Sequence, residues 1–273
     1  MRSIAGRIAI ASVSICLAAC AAVAPETQPS TPQLSGQDQS VLVGQLTRKI
    51  ADRDRALESL QTEAIMQYSA PGQNPPKVRE QVTVKRPDNL RVEAMSAFSV
   101  ALILVANRKQ LSIFEPSQNK LVHAPATADA LDQFIRIPMA PADAVTLLLG
   151  IAPGSVSLAD RKPNAIAAED DMTVASWNDG KSIRELGFRD GQLAMVRMRS
   201  AGGAVQYDVR YSDYHDIGGI MFPYVMQASF PAAQSRVAFR YKRPIINGDL
   251  PVSAFVLSPP ATAGQAGPQN AAL

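Results

Sequence analysis

Apolar residues fall on alternate positions through most of this chain, and two stretches depart from that rhythm. Between Ser40 and about Ser59 the spacing is helical. Leu42, Leu46 and Ile50 recur every four residues, Leu57 and Leu60 continue the row, and Arg48, Asp52, Arg53 and Arg55 occupy the opposite side. This predicts an amphipathic helix whose single apolar stripe needs a covering surface. Asp38 or Ser40 could cap it, and Arg48 and Asp52 have the i,i+4 spacing of a weak surface pair. From Leu60 onward the period is two. Strands are predicted over 63–68, 78–86, 90–96, 100–106, 110–115 and 120–123, with Leu90, Val92 and Ala94 alternating against Arg91 and Glu93. The run Val100 to Ala106 is apolar throughout, as in a strand covered on both faces.

The second departure follows His123. Thr127–Arg136 and Pro141–Gly150 read as short helices, the latter with proline at its start and glycine at its end. Residues 153–171 read as loop. Strands then resume over 173–177, 182–188, 192–199, 204–211, 221–230 and 235–243, with a last short one at 252–256. Asn178-Asp179-Gly180, Asp190-Gly191 and Gly202-Gly203 supply hairpin turn chemistry between them. The implied fold is mainly β (α+β): one strongly curved antiparallel sheet accompanied by few helices.

Sorting the later strands by parity separates an apolar face from a charged one. Val205, Tyr207, Val209 and Tyr211 oppose Gln206, Asp208 and Arg210. Phe222, Tyr224, Met226, Ala228 and Phe230 form another apolar row, as do Val237, Phe239 and Tyr241, while Ala194, Val196 and Met198 oppose Met195, Arg197 and Arg199. A curled sheet this wide offers more concave surface than three short helices can seal by close packing. Two outcomes remain open: a solid core, or an apolar cavity of the size that holds an acyl chain.

The chain ends carry a different message. Arg2 and Arg7 precede the apolar run Ile8 to Leu17, and Ala18-Ala19-Cys20 follows it, the layout of an export signal over residues 1–19. Small residues ending in cysteine match the bacterial lipobox, so Cys20 is expected to carry a diacylglycerol anchor with acyl chains of the palmitate kind. The alternative is an ordinary secreted chain with an incidental cysteine. Residues 20–39 are rich in Pro, Ser, Thr and Gln and read as a flexible tether, 40–257 as the folded domain, and 258–273 as a disordered tail. With Cys16 lost in the signal and Cys20 alkylated, neither a disulfide framework nor a thiolate metal site is expected.

Composition narrows the function further. Removing Arg2 and Arg7 from 27 basic residues leaves a near balance with the 24 acidic ones, and aromatic content is 5%. Neither favours nucleic acid as a partner. His123 and His215 are the two histidines, and neither has a ligand-spaced partner. Glu169-Asp170-Asp171 lacks the alternating oxygens and central glycine of a calcium loop. No phosphate-binding glycine loop or nucleophile elbow occurs. The expectation is no catalytic residue, no metal and no cofactor beyond the covalent acyl anchor.

The order of elements, together with Pro87-Asp88-Asn89-Leu90-Arg91 and the stretch Arg136 to Gly150 (RIPMAPADAVTLLLG), resembles the LolA/LolB lipoprotein-localisation family, in particular its LolB-like outer-membrane lipoproteins. The resemblance covers roughly residues 40–257. It implies an unclosed β-barrel of about 11 strands with a helical lid over an apolar cavity that accepts acyl chains. It also implies acyl chains or lipoproteins as cargo, a periplasmic carrier protein as partner, and placement at the outer membrane facing the periplasm. Ala21 after the lipidated cysteine, in place of an aspartate, agrees with that placement. Val196, Met198, Val209, Phe222, Met226 and Phe239 would line the cavity, Ile135, Leu147 and Leu148 would belong to the lid, and Phe98 would touch the bilayer from the hairpin Ser96-Ala97-Phe98-Ser99. The family's soluble carrier holds its lid with a buried arginine, which the sequence does not locate. The rival function is an envelope scaffold or sensor whose sheet binds a protein.

Overall fold

The computed structural model describes residues 36–97 and 99–257; Cys20, the signal, most of the tether, Phe98 and the tail lie outside the described residues. Thirteen strands form one antiparallel sheet. In chain order they are β1 (Ser59–Ser69), β2 (Val78–Lys85), β3 (Asn89–Met95), β4 (Val100–Ala106), β5 (Gln110–Glu115), β6 (Lys120–Pro125), β7 (Ala165–Glu169), β8 (Met172–Asn178), β9 (Ser182–Arg189), β10 (Gln192–Ser200), β11 (Val205–Ile217), β12 (Ile220–Phe230) and β13 (Ser235–Ile246). Two meanders meet where the first strand pairs with the last, Leu60 opposite Ile246 and Tyr68 opposite Val237. The sheet edges are therefore β6 and β7, neighbours in sequence at opposite ends of the sheet. The chain between them carries three helices, α2 (Ala128–Ile135), α3 (Pro141–Leu148) and α4 (Ser155–Ala159), numbered after α1 (Gly36–Ala56). To join the two edges these helices must cross the sheet, so the topology itself makes them a cover.

Thirteen strands laid flat would span about 58 Å. Yet Leu111 and Ile113 on β5 and Trp177 on β8 belong to one contiguous apolar core. The sheet curls around that core without closing, as expected. The resemblance implied about 11 strands, and one of the thirteen, β7, lies in a stretch read as loop. Its sequence, Ala165-Ile166-Ala167-Ala168-Glu169, is too small-sided to display alternation. Helix α4 lies in the same stretch.

Residues 252–255 form a 3₁₀ helix in place of the expected strand. Phe255 and Leu250 pack on Val105, with Ile103 beside them, so the outer face of β4 is covered. Leu104 and Ala106 face the main core. The wholly apolar run thus has apolar partners on both sides. Lys85 Nζ and Arg91 Nη1 hold the segment by donating to the carbonyls of Leu250 (3.0 Å) and Ala254 (3.3 Å).

Two details of register differ from the expected ones. Helix α1 begins at Gly36, inside the stretch read as tether, and buries Val43, Thr47, Ile50, Ala51 and Asp54, with Leu46 half-buried. Drawing Asp54 inward rotates the stripe by one residue. Asp52 accordingly pairs with Arg55 at 2.7 Å, not with Arg48. In β10 the register slips between Leu193 and Met195, a bulge that sends Ala194 to the outer face with Met172, Val174 and Met195.

Candidate functional site

Beneath α2 and α3 the core is hollow. A cavity of about 350 Å³ lies between these helices and the strands β1–β4 and β11–β13. The sheet contributes Met66, Val92, Leu102, Val209, Met226 and Phe239 among others; the cover contributes Phe134, Ile135, Ile137, Met139, Leu147 and Leu148. Exposure along the strands runs in one direction. On β1, Leu60 and Ala64 are buried and Met66 and Tyr68 half-buried; on β3, Leu90 is buried and Val92 and Ala94 half-buried; on β4, Ala106 and Leu104 are buried and Leu102 half-buried. The hollow is closed toward one end of these strands. It opens toward the β1–β2 connection and the β3–β4 hairpin, where the Ser96 amide donates to the Ser99 carbonyl at 2.8 Å.

One ionisable side chain is buried in this wall. Glu80 on β2 is 4% exposed, faces the same side as Val82 and Val84, and stands opposite Ala64 and Ala94, whose small side chains leave room for it. Burial pushes its carboxyl up to about 7. Arg136, at the C-terminus of α2, lines the cavity too but is exposed to solvent.

The cover is fastened at its C-terminal side. Helix termini leave carbonyls without intrahelical partners. Here Tyr211 and Tyr241 rise from the sheet to donate their hydroxyls to the carbonyls of Leu147 (2.9 Å) and Leu148 (3.1 Å). Desolvation holds both phenols well above the ordinary tyrosine range, so they remain donors. Gly150 has φ +70°, and a Cβ there would stand 2.7 Å from Pro223 on β12; only glycine permits this descent onto the sheet. Arg53 of α1 donates to the carbonyls of Gly150 and Met221 and sits over the Tyr214 ring at 5.8 Å. Asp54, 3% exposed, accepts from Arg86 after β2 and from Ser155 Oγ on α4. Helix α1 therefore clamps the cover to the sheet through two consecutive charged residues.

The expected site residues divide. Ile135, Leu147 and Leu148 of the cover line the cavity, as do Val209, Met226 and Phe239. Val196, Met198 and Phe222 do not: they are 0%, 8% and 0% exposed and belong to solid core. Their exclusion has a cause at Phe222, since the Gly150–Pro223 approach brings the covering chain down beside it. Phe98 and Cys20 lie outside the described residues. Sequence reasoning overlooked the wall supplied by β1–β4 and, above all, Glu80. Its signal was parity, because Val78, Glu80, Val82 and Val84 share one face of a strand.

Groups with catalytic or ligating potential lie elsewhere. Ser112 Oγ and His123 Nδ1 pair at 2.9 Å across β5 and β6, but no third residue orients the ring through Nε2 among the described residues. Glu169 and Asp170 are held in ion pairs. Glu169 binds Arg197 at 2.6 Å, beside Glu185 at 3.0 Å and Asp208 at 2.7 Å, and Arg210 reaches Asp170 at 3.7 Å. Hydrogen bonding from Arg197 holds the Glu169 carboxyl below its ordinary range. No group of three or more potential metal ligands occurs among the described residues, and none of their helices is long and apolar enough to cross a membrane.

No protein-family model and no curated protein sequence matches the chain. Solved structures do match. A DUF1329-family protein of Desulfovibrio piger superposes with a TM-score of 0.56 at 12% identity, covering 80% of this chain and 97% of that one. A domain of Vibrio parahaemolyticus described as an outer-membrane lipoprotein-sorting protein gives 0.51 at 8% identity, covering 78% and 95%. A LolA-superfamily protein of Nitrosomonas europaea gives 0.50 at 16% identity, covering 77% and 97%. At these identities the likeness is one of architecture alone: this chain shares its fold with these solved structures.

Proposed function

We propose that this chain is a lipid-anchored protein of the bacterial cell envelope that takes an acyl chain, free or attached to a lipoprotein, into the hollow beneath its helical cover. The observation that carries this reading is the cavity itself: about 350 Å³ walled almost entirely by aliphatic and aromatic side chains. That volume is at the lower end of ordinary ligand sites, which suits one chain better than several. Release needs no covalent step, because a chain held by apolar contact leaves whenever a membrane or partner offers equal burial. In this reading Cys20 carries the acyl anchor, and the hairpin bearing Phe98, at the open end, meets the bilayer. Delivery of lipoproteins to the outer membrane, received from a periplasmic carrier, is the role we favour, supported by the architecture shared with a lipoprotein-sorting domain. Delipidated protein titrated with a fluorescent fatty acid tests the reading. Saturable binding, displaced by unlabelled fatty acid or lipopeptide, is expected. Absence of binding together with a stably co-purifying protein would favour a scaffold instead.

A further inference from the structure

An apolar chain does not need a carboxyl group in its binding site, and burying one is costly. Glu80 is nonetheless held in the cavity wall at 4% exposure, and among the described residues it makes neither a hydrogen bond nor an ion pair. Its position along the strand is specific. Val84 and Val82 continue the row toward the closed end, and Val78, the next residue outward on the same face, is half-buried. Glu80 is thus the last buried residue before the mouth. An amphiphile seated with its polar end at this level would meet the carboxyl.

Resting on the acyl-binding reading above, we infer that the site selects amphiphiles carrying an ammonium group next to the aliphatic chain, and that Glu80 is the group that recognises it. A protonated amine supplies the positive charge and N–H donors that the buried carboxylate lacks, and the pairing occurs where water competes poorly. The opposite selection, for an anionic head, would fall to Arg136. That side chain is exposed and hydrated, so pairing there contributes little. Tyr68, the remaining ionisable group on the wall, is half-buried at the mouth. The ammonium could belong to the free α-amine of an S-acylated peptide, a few bonds from its chain, or, beyond a phosphate and glycerol, to an aminophospholipid head; both present a protonated primary amine.

Calorimetric titration with dodecylamine and dodecanoate below their critical micelle concentrations, and dodecanol below its solubility limit, at pH 8 tests this on the delipidated chain. The amine is expected to bind about tenfold more tightly than the alcohol, with dodecanoate weakest. Glu80→Gln should abolish the preference, bringing the amine-to-alcohol affinity ratio to about one, with an unchanged circular-dichroism spectrum as the control for folding. Should that variant be unstable, Glu80→Met, which matches the apolar wall, gives the same readout. Equal affinity for amine and alcohol in the wild type, or an amine preference that survives both substitutions, would overturn the inference while leaving the acyl site intact. Failure of all three probes to bind would overturn both. Lysophosphatidylethanolamine against lysophosphatidylglycerol, and an S-acylated cysteinyl peptide with free against acetylated amine, then identify the source by which pair reproduces the Glu80-dependent preference.

Discussion

Glu80 and Arg197 are both charged residues drawn into a β-sheet, and they differ in everything that follows from having partners. Arg197 is surrounded by Glu169, Glu185 and Asp208, each within 3.0 Å, on the outer face of the second meander. Desolvation opposes its charge, yet its hydrogen bonds to the carboxylates raise its proton affinity overall. Glu80 has only the desolvation, which lifts it from 4.5 to about 7. The consequence for stability has a definite sign. Below pH 4.5 the carboxyl is neutral whether the chain is folded or not. Between pH 4.5 and 7 the unfolded chain releases its proton and the folded chain keeps it, so stability falls as pH rises, by about 3 kcal/mol at most. Glu80→Gln should therefore match the wild type near pH 4 and exceed it by about 1–3 kcal/mol at pH 8. Urea unfolding at both pH values measures this directly. A stability difference that does not change with pH would mean that the carboxyl is not desolvated in solution.

At the scale of elements, α3 is placed by the sheet more than by its own sequence. Eight residues are too few for a stable helix in isolation. Its end is fixed by two phenols from β11 and β13, by Arg53 of α1 through Gly150, and by contact with Pro223. Removing a donor from a buried carbonyl costs about 1–3 kcal/mol. Tyr211→Phe and Tyr241→Phe are each expected to lower unfolding free energy by that order, and the double variant by less than the sum once Leu147 and Leu148 detach together. Full additivity would show that the two contacts hold different things. These clamps also mark the limit of legibility in the sequence. Strands announced themselves by alternation and the helices between the meanders by the break in it, so sheet, cover and curvature could be read. Alternation assigns a side chain to a face but not to what lies opposite that face. Val196, Met198 and Phe222 point inward as expected and meet packed core, whereas Val209, Met226 and Phe239 point the same way and meet space. The difference is made by where the covering chain comes down, which depends on contacts between residues about 60 to 100 positions apart. Ala194 was misplaced for a local reason, a bulge that composition does not reveal.

For the molecule as a whole, the sheet divides into a hollow half and a solid half. Strands β1–β4 and β11–β13 with α2 and α3 surround the cavity, while β8–β10 are packed through on the inner face and tied on the outer face by the Arg197 network. Gly187 on β9 belongs to the solid half; a Cβ there would meet Met195 at 2.9 Å, leaving no slack between neighbouring strands. Because β1 and β13 join the meanders at the centre, the two halves belong to one continuous sheet and differ in what packs on its inner face. A ligand in the cavity replaces missing contacts on the hollow side only, and sites that open locally are stabilised by what fills them. Saturating acyl ligand should therefore slow amide hydrogen exchange severalfold in residues 128–150 and at Val92, Ala94 and Leu102, with exchange in β8–β10 unchanged. Uniform slowing across both halves would point to global stabilisation of a single cooperative unit, and slowing confined to β8–β10 would place the ligand outside the cavity altogether.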